Sequence, residues 1–388
     1  MKRVLFHIGA PKTGTTYLQN VLFRNRGELK AASVLYPYSD AGQSFRSMQD
    51  FRGVGWGSAS AAKFRGEWER VARRAREWDG EAVVISNELL GGSSPQRIAK
   101  GVASVQPGEV HVIFTARDFA RQLVSDWQEH IKHKHTVTLE KFVDDLIEHG
   151  LDAPAPFGEL FWGMHDAAYV LRRWADVVPA ANIHIVTVPH QGAPSDTLWQ
   201  RFCVVTGLDP DRYDTAIERA NPSMGVAETE LVRRINAEVK GMPDEHYDPL
   251  VRKLLAEDVL GGHSPRLMLP ASRMAWVETR SRRLIDEVDA AGYDVVGDLE
   301  ELMPLREEHA GYISPTALTD ADLASAAIRA ATGLLKQSGR QRRRITELQH
   351  LADGTEPPKP TLRARRTELY WRVRGRAGRI ARKLGLKR

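Results

Sequence analysis

Val4-Leu5-Phe6-His7-Ile8-Gly9-Ala10-Pro11-Lys12-Thr13-Gly14-Thr15-Thr16 is the stretch that decides the fold of this chain of 388 residues. Residues 4–8 form a short, nearly continuous apolar run, the pattern of a strand buried on both faces of a parallel sheet. A Gly/Pro loop follows, and residues 15–22 then repeat apolar positions at helical spacing. A helix that starts directly after such a loop presents unpaired N–H groups and the positive end of its dipole, which attracts an anion. Gly9 and Gly14 keep the G-x4-G spacing of a Walker A loop, but Thr15 stands where that motif requires lysine. The lysine lies inside the loop instead, at Lys12.

Outward from this segment, strand-like and helix-like runs alternate. Residues 3–8, 82–86, 110–115 and 183–188 read as strands, with 33–36 as a weaker fifth. Residues 61–78, 119–132, 139–149, 167–177, 197–205, 228–239 and 274–290 carry helical periodicity. This predicts an α/β fold, a three-layer, doubly wound, mainly parallel sheet with a P-loop-like nucleotide site. Ligands of such sheets bind outside the carboxyl ends of the strands, where the 9–14 loop falls. Two connections, 38–60 and 150–165, are rich in Gly with Ser or Pro and carry aromatics. They include Phe45, Phe51 and Trp56 in the first, and Phe157, Phe161 and Trp162 in the second. Such connections often form binding lids, and the alternative reading is that the aromatics pack under their own loops.

Two further segments carry chemistry. In Val112-Ile113-Phe114-Thr115-Ala116-Arg117-Asp118, a strand ends in arginine, and Ser125 follows eight residues later on the next helix. Eight residues are a little over two helical turns, so both side chains can face one side, where a guanidinium and a hydroxyl suit a phosphate. In Ala82-Val83-Val84-Ile85-Ser86-Asn87-Glu88, a carboxylate stands just beyond another strand end.

Pro11-Lys12-Thr13-Gly14-Thr15-Thr16 resembles the 5′-phosphosulfate loop of sulfotransferases, which use 3′-phosphoadenosine-5′-phosphosulfate (PAPS) as sulfuryl donor. Arg117 and Ser125 have the spacing of that family's 3′-phosphate element. Glu88 stands where many members keep the catalytic base. The resemblance implies transfer of a sulfuryl group to an acceptor hydroxyl on a carbohydrate, glycolipid or secondary metabolite. It casts Lys12 and Glu88 as catalytic, and Pro11, Lys12, Thr13, Gly14, Thr15, Thr16, Arg117 and Ser125 as donor-binding. No metal is required. The family's late Arg-Lys-Gly element is missing, and Asn221 and Ser223 are the candidates for its place. Two alternatives stay open, a P-loop nucleotide kinase or NTPase, and a non-catalytic nucleotide-binding scaffold of the same fold.

Composition bounds the rest. One cysteine, Cys203, forbids an internal disulfide, which suits a reducing compartment. Residues 2–8 are too short an apolar run for a secretory signal, and no stretch is long and apolar enough to span a bilayer. A cytoplasmic enzyme is expected. Residues 340–388 hold 16 Lys and Arg against 4 Asp and Glu, a net of +12, so residues 1–339 hold 39 against 46, a net of −7. The basic balance lies in the tail, and nucleic acid is not an expected partner. The expected organisation is a sulfotransferase domain at 1–315, a helical extension at 316–352 that reads as two helices, 317–335 and 343–351, with a break at 336–340, a linker at 353–361 and a basic tail at 362–388. The tail mixes arginine with Leu, Tyr, Trp and Ile, which suits peripheral contact with the inner face of an anionic membrane. His130, His133 and His135 match no zinc pattern and are expected to be solvated.

Overall fold

The computed structural model describes residues 1–57, 59–216 and 223–355. Six strands form one parallel sheet: β1 (Arg3–His7), β2 (Val34–Leu35), β3 (Ala82–Ser86), β4 (Glu109–Ala116), β5 (Ile183–Thr187) and β6 (Asp294–Val296), in the order β2-β3-β1-β4-β5-β6. The predicted parallel α/β sheet is present, extended at one edge by β6. β1 lies between β3 and β4, in register at His7 with Ser86 and Ile113. The β3-to-β4 connection skips over β1.

Helices cover both faces. They are α1 (Thr15–Arg24), α2 (Arg26–Ala31), α3 (Ala41–Arg52), α4 (Glu67–Glu77), α5 (Pro95–Ser104), α6 (Phe119–Lys132) and α7 (Leu139–His149). Then come α8 (Phe157–His165), α9 (Ala167–Ala175), α10 (Thr197–Thr206), α11 (Val226–Glu238), α12 (Asp244–Tyr247), a π-helical run at Asp248–Val259 and α13 (Ala271–Ala290). Successive side chains of a strand point to opposite faces, and β1 shows the three layers at once. Phe6 packs on Phe51, Trp68 and Trp174 from α3, α4 and α9. His7 turns the other way, onto Phe202 of α10.

Both candidate lids are helices. Asp40 caps α3 by accepting from the Gly42 N–H at 3.0 Å, and Gly53, with φ of 69°, ends it. Phe51 is thereby a core residue, while Phe45 stays beside Trp56, their rings 5.4 Å apart. In α8, Phe157, Phe161, Trp162 and Met164 are all buried, because the segment packs under α6, α7 and α9.

The chain divides into a unit at Met1–Ala330, which holds the sheet, and a second unit from Ala331. A last helix, α14 (Asp320–Ala352), runs unbroken through 336–340, where the sequence predicts a break between two helices. The tail at 362–388, most of the 353–361 linker and Asn221 lie outside the described residues.

Candidate active site

The three sequence segments leave the carboxyl ends of three neighbouring strands. The 9–14 loop follows β1, Glu88 follows β3 and Arg117 follows β4. Parallel pairing alone therefore gathers residues more than a hundred positions apart.

Thr115 of β4 staples the loop in place. Its N–H donates to Gly9 O and its carbonyl accepts from Ala10 N, both at 2.6 Å, while its hydroxyl donates to Gly9 O at 2.5 Å. Thr13 is buried, and its hydroxyl lies 2.6 Å from Ala10 O and 2.5 Å from the Thr115 hydroxyl. That side chain shapes the loop. Pro11 O accepts from Gln122 of α6 at 3.2 Å. Lys12 has a left-handed backbone, φ 62°, a conformation that non-glycine residues seldom hold. It turns the Lys12 carbonyl toward β4, where Arg117 Nη1 donates to it at 3.0 Å.

Gly14 is the N-cap of α1, with φ 87° and no side-chain cap. The first N–H groups of α1 are thus uncapped at the loop, with Thr15 buried behind them and Thr16 exposed. A side chain at Gly14 would meet Leu198 Cδ2 at 2.6 Å, besides the strained φ.

Arg117 Nη1 also lies 3.4 Å from Ser125 Oγ, so the predicted pair meets, and it meets the Lys12 loop as well. Arg117 Nε is buried with no hydrogen-bond partner among the described residues. Burial, reinforced by the nearby Arg121 charge, pushes the guanidinium down to about 10, a cation short of counter-charge. Glu88 starts a short 3-10 turn after β3 and accepts from Gln19 Nε2 of α1 at 2.9 Å. Ser223 is exposed. Its carbonyl accepts from Gly262 N at 3.1 Å, and the N-cap of α11 is Gly225, so Ser223 caps no helix. The next carbonyl, that of Met224, accepts from Gln128 of α6 at 2.8 Å.

Two residues at the site carry no sequence motif. Gln19 orients Glu88. Glu129 takes Lys12 Nζ at 3.0 Å and Lys132 Nζ at 3.2 Å, both on Oε2, with His133 Nε2 3.5 Å from Oε1. Burial works against its charge, but His133, Lys12 and Lys132 outweigh it and hold its carboxyl well below the ordinary range. Between Phe119 and Ile131, α6 is buried at every position except Ser125 and Glu129. They lie one turn apart, with Lys132 a further turn on, so the polar stripe faces the loop.

The histidines differ from expectation. His133 is exposed, but His130 is buried, with Nε2 3.3 Å from Asp126, whose other oxygen lies 3.3 Å from buried His165. No group of three His, Cys, Asp or Glu among the described residues could hold a metal ion. His7 is fully buried and burial pushes it down to about 3. It bonds Ser86 Oγ at 2.8 Å and lies 3.4 Å from Thr115 Oγ1, a bridge between strands on either side of β1.

No family model matches the chain. No curated protein matches it. Among solved structures, a sulfotransferase from Alicyclobacillus acidocaldarius matches at 14% identity with a TM-score of 0.37, over 64% of this chain and 99% of that one, a likeness too loose to bear on function.

Proposed function

We propose that this protein is a PAPS-dependent sulfotransferase acting on an acceptor hydroxyl of a carbohydrate, glycolipid or secondary metabolite. One observation carries the reading. Arg117 donates to the carbonyl of Lys12, so the two segments read as phosphate elements are joined at the open end of β1 and β4. A donor with two separate phosphate positions needs such a pair.

In the proposed step the acceptor oxygen attacks sulfur in line, and the bond from sulfur to the bridging oxygen breaks. The acceptor proton passes to the Glu88 carboxylate. The electron pair stays with adenosine 3′,5′-bisphosphate. Lys12 and the uncapped N–H groups of α1 stabilise the charge that grows on the bridging oxygen. The kinase alternative is disfavoured by Thr15 at the Walker lysine position.

Calorimetry with adenosine 3′,5′-bisphosphate and with ATP, each with and without magnesium, tests the donor. The bisphosphate should bind tightly without metal. Arg117→Ala should weaken it by about 1.5–3 kcal/mol, the range of a charge-assisted bond, and weaken adenosine 5′-phosphate far less. Preference for ATP with magnesium would refute the reading, and equal losses for both nucleotides would make Arg117 a folding residue.

A further inference from the structure

Glu129 is the one acid on the exposed stripe of α6, and it faces the lysine assigned to the donor. Its carboxylate draws Lys12 toward α6, one turn beyond Ser125. A bound sulfuryl phosphate must attract the same ammonium. An ammonium has three donors, but a carboxylate 3.0 Å from it would set a negative charge beside the anion and weaken its hold.

The surroundings make an exchange of partners cheap. Glu129 Oε2 already holds Lys132 at 3.2 Å, and Oε1 faces His133. When Lys12 leaves, the carboxylate keeps a cation and is not stranded. The Lys12 backbone need not move, because Arg117 holds its carbonyl in place. Only the flexible side chain must swing. Both side chains are about one third exposed, 32% and 34%, so the pair is of moderate strength and can be broken by a ligand of higher charge.

We propose that Glu129 is a positioning residue, the resting counter-ion of Lys12, which gives up the ammonium to the donor when the nucleotide binds. The inference rests on the sulfotransferase reading of the Lys12 loop. It makes Glu129 a competitor of the donor, and so a residue that sets donor affinity and eases product release.

The test is a double-mutant cycle read by calorimetry with adenosine 3′,5′-bisphosphate on the full chain. The proteins are wild type, Glu129→Gln, Lys12→Ala and the double variant. Glu129→Gln should bind about three- to tenfold tighter than wild type, as loss of one partly exposed competing ion pair implies. The gain should vanish when Lys12 is alanine. Thermal unfolding of each variant separates misfolding from the effect, and Glu129→Asp, which keeps the charge, should restore wild-type affinity. Unchanged or weaker binding by folded Glu129→Gln, or an equal gain in the Lys12→Ala background, would overturn the proposal. If wild type does not bind the bisphosphate at all, the donor reading itself fails, an outcome distinct from either of these.

Discussion

Glu88 is the residue whose proposed role depends most on its neighbours. A free carboxylate at a strand end would swing, but Gln19 Nε2 holds Oε2 at 2.9 Å and leaves Oε1 for an acceptor. Glu88→Gln preserves the shape and removes the proton acceptor. Turnover should fall about a hundredfold or more, while calorimetric affinity for adenosine 3′,5′-bisphosphate stays within about twofold of wild type. A rate close to wild type would move the base elsewhere, and His7 cannot supply it, being buried and bonded within the sheet. The placement of Lys12, Glu88 and Arg117 at the open edge was legible in the sequence because each stands at or just after a strand end, and that of Ser125 only through its spacing of eight from Arg117. Gln19 and Glu129 were not legible. Each is an ordinary polar residue on a helix, and its importance comes from a neighbour 69 or 117 positions away. For Glu129 one signal existed, its spacing of four from Ser125 on a helix otherwise rich in apolar residues.

At the scale of elements, the strands were legible wherever the run was buried on both faces, and β6 was not, since its three residues are half-buried or exposed. The helix α3 was hidden by a Gly, Ser and Gln composition that suits a loop. Its signals were Asp40 before it and Gly53 after it, a cap and a stop that composition outweighed. The joint between elements that matters most is His7, which ties β1 to β3 through Ser86 and reaches Thr115, the staple of the 9–14 loop. Burial lowers its folded pKa to about 3, against about 6.5 for an exposed imidazole. The neutral form therefore contributes stability that is fully present above pH 6.5. As pH falls below 6.5 the unfolded chain binds a proton that the folded chain refuses, until about pH 3. The cost is about 1.4 kcal/mol per pH unit from this one group. Denaturant unfolding followed from pH 7.5 to 5 should show that slope shrink by about this amount in His7→Asn, which keeps a polar partner for Ser86 but does not titrate. An unchanged slope would show that His7 takes up its proton in the folded state.

Across the whole molecule, charge is divided between two stretches of one chain. Residues 1–339 carry a net of −7 and residues 340–388 a net of +12. No helix among the described residues is long and apolar enough to cross a membrane. The tail at 362–388 mixes its arginines with Leu369, Tyr370, Trp371, Val373, Ile380, Leu384 and Leu386. On an anionic surface each basic residue near the headgroups contributes about 1 kcal/mol, and apolar side chains between them can enter the interface. The net negative charge of residues 1–339 would compete for those arginines. That competition is also electrostatic, so salt weakens both and the distinction must be made at low ionic strength. The full chain should pellet with phosphatidylserine vesicles at low salt and stay in the supernatant with neutral vesicles or at high salt. A chain ended after Gly354 should not pellet under any of these conditions, and both should transfer sulfuryl groups to a soluble acceptor at similar rates. Such behaviour would bring the protein to a lipid-linked or envelope acceptor of the proposed reaction. If the shortened chain pelleted as well as the full one, the acidic part would be the membrane-binding element or the tail would be irrelevant to it, and the case for a surface-bound acceptor would fall while the reaction proposed at Lys12 and Glu88 stood unaffected.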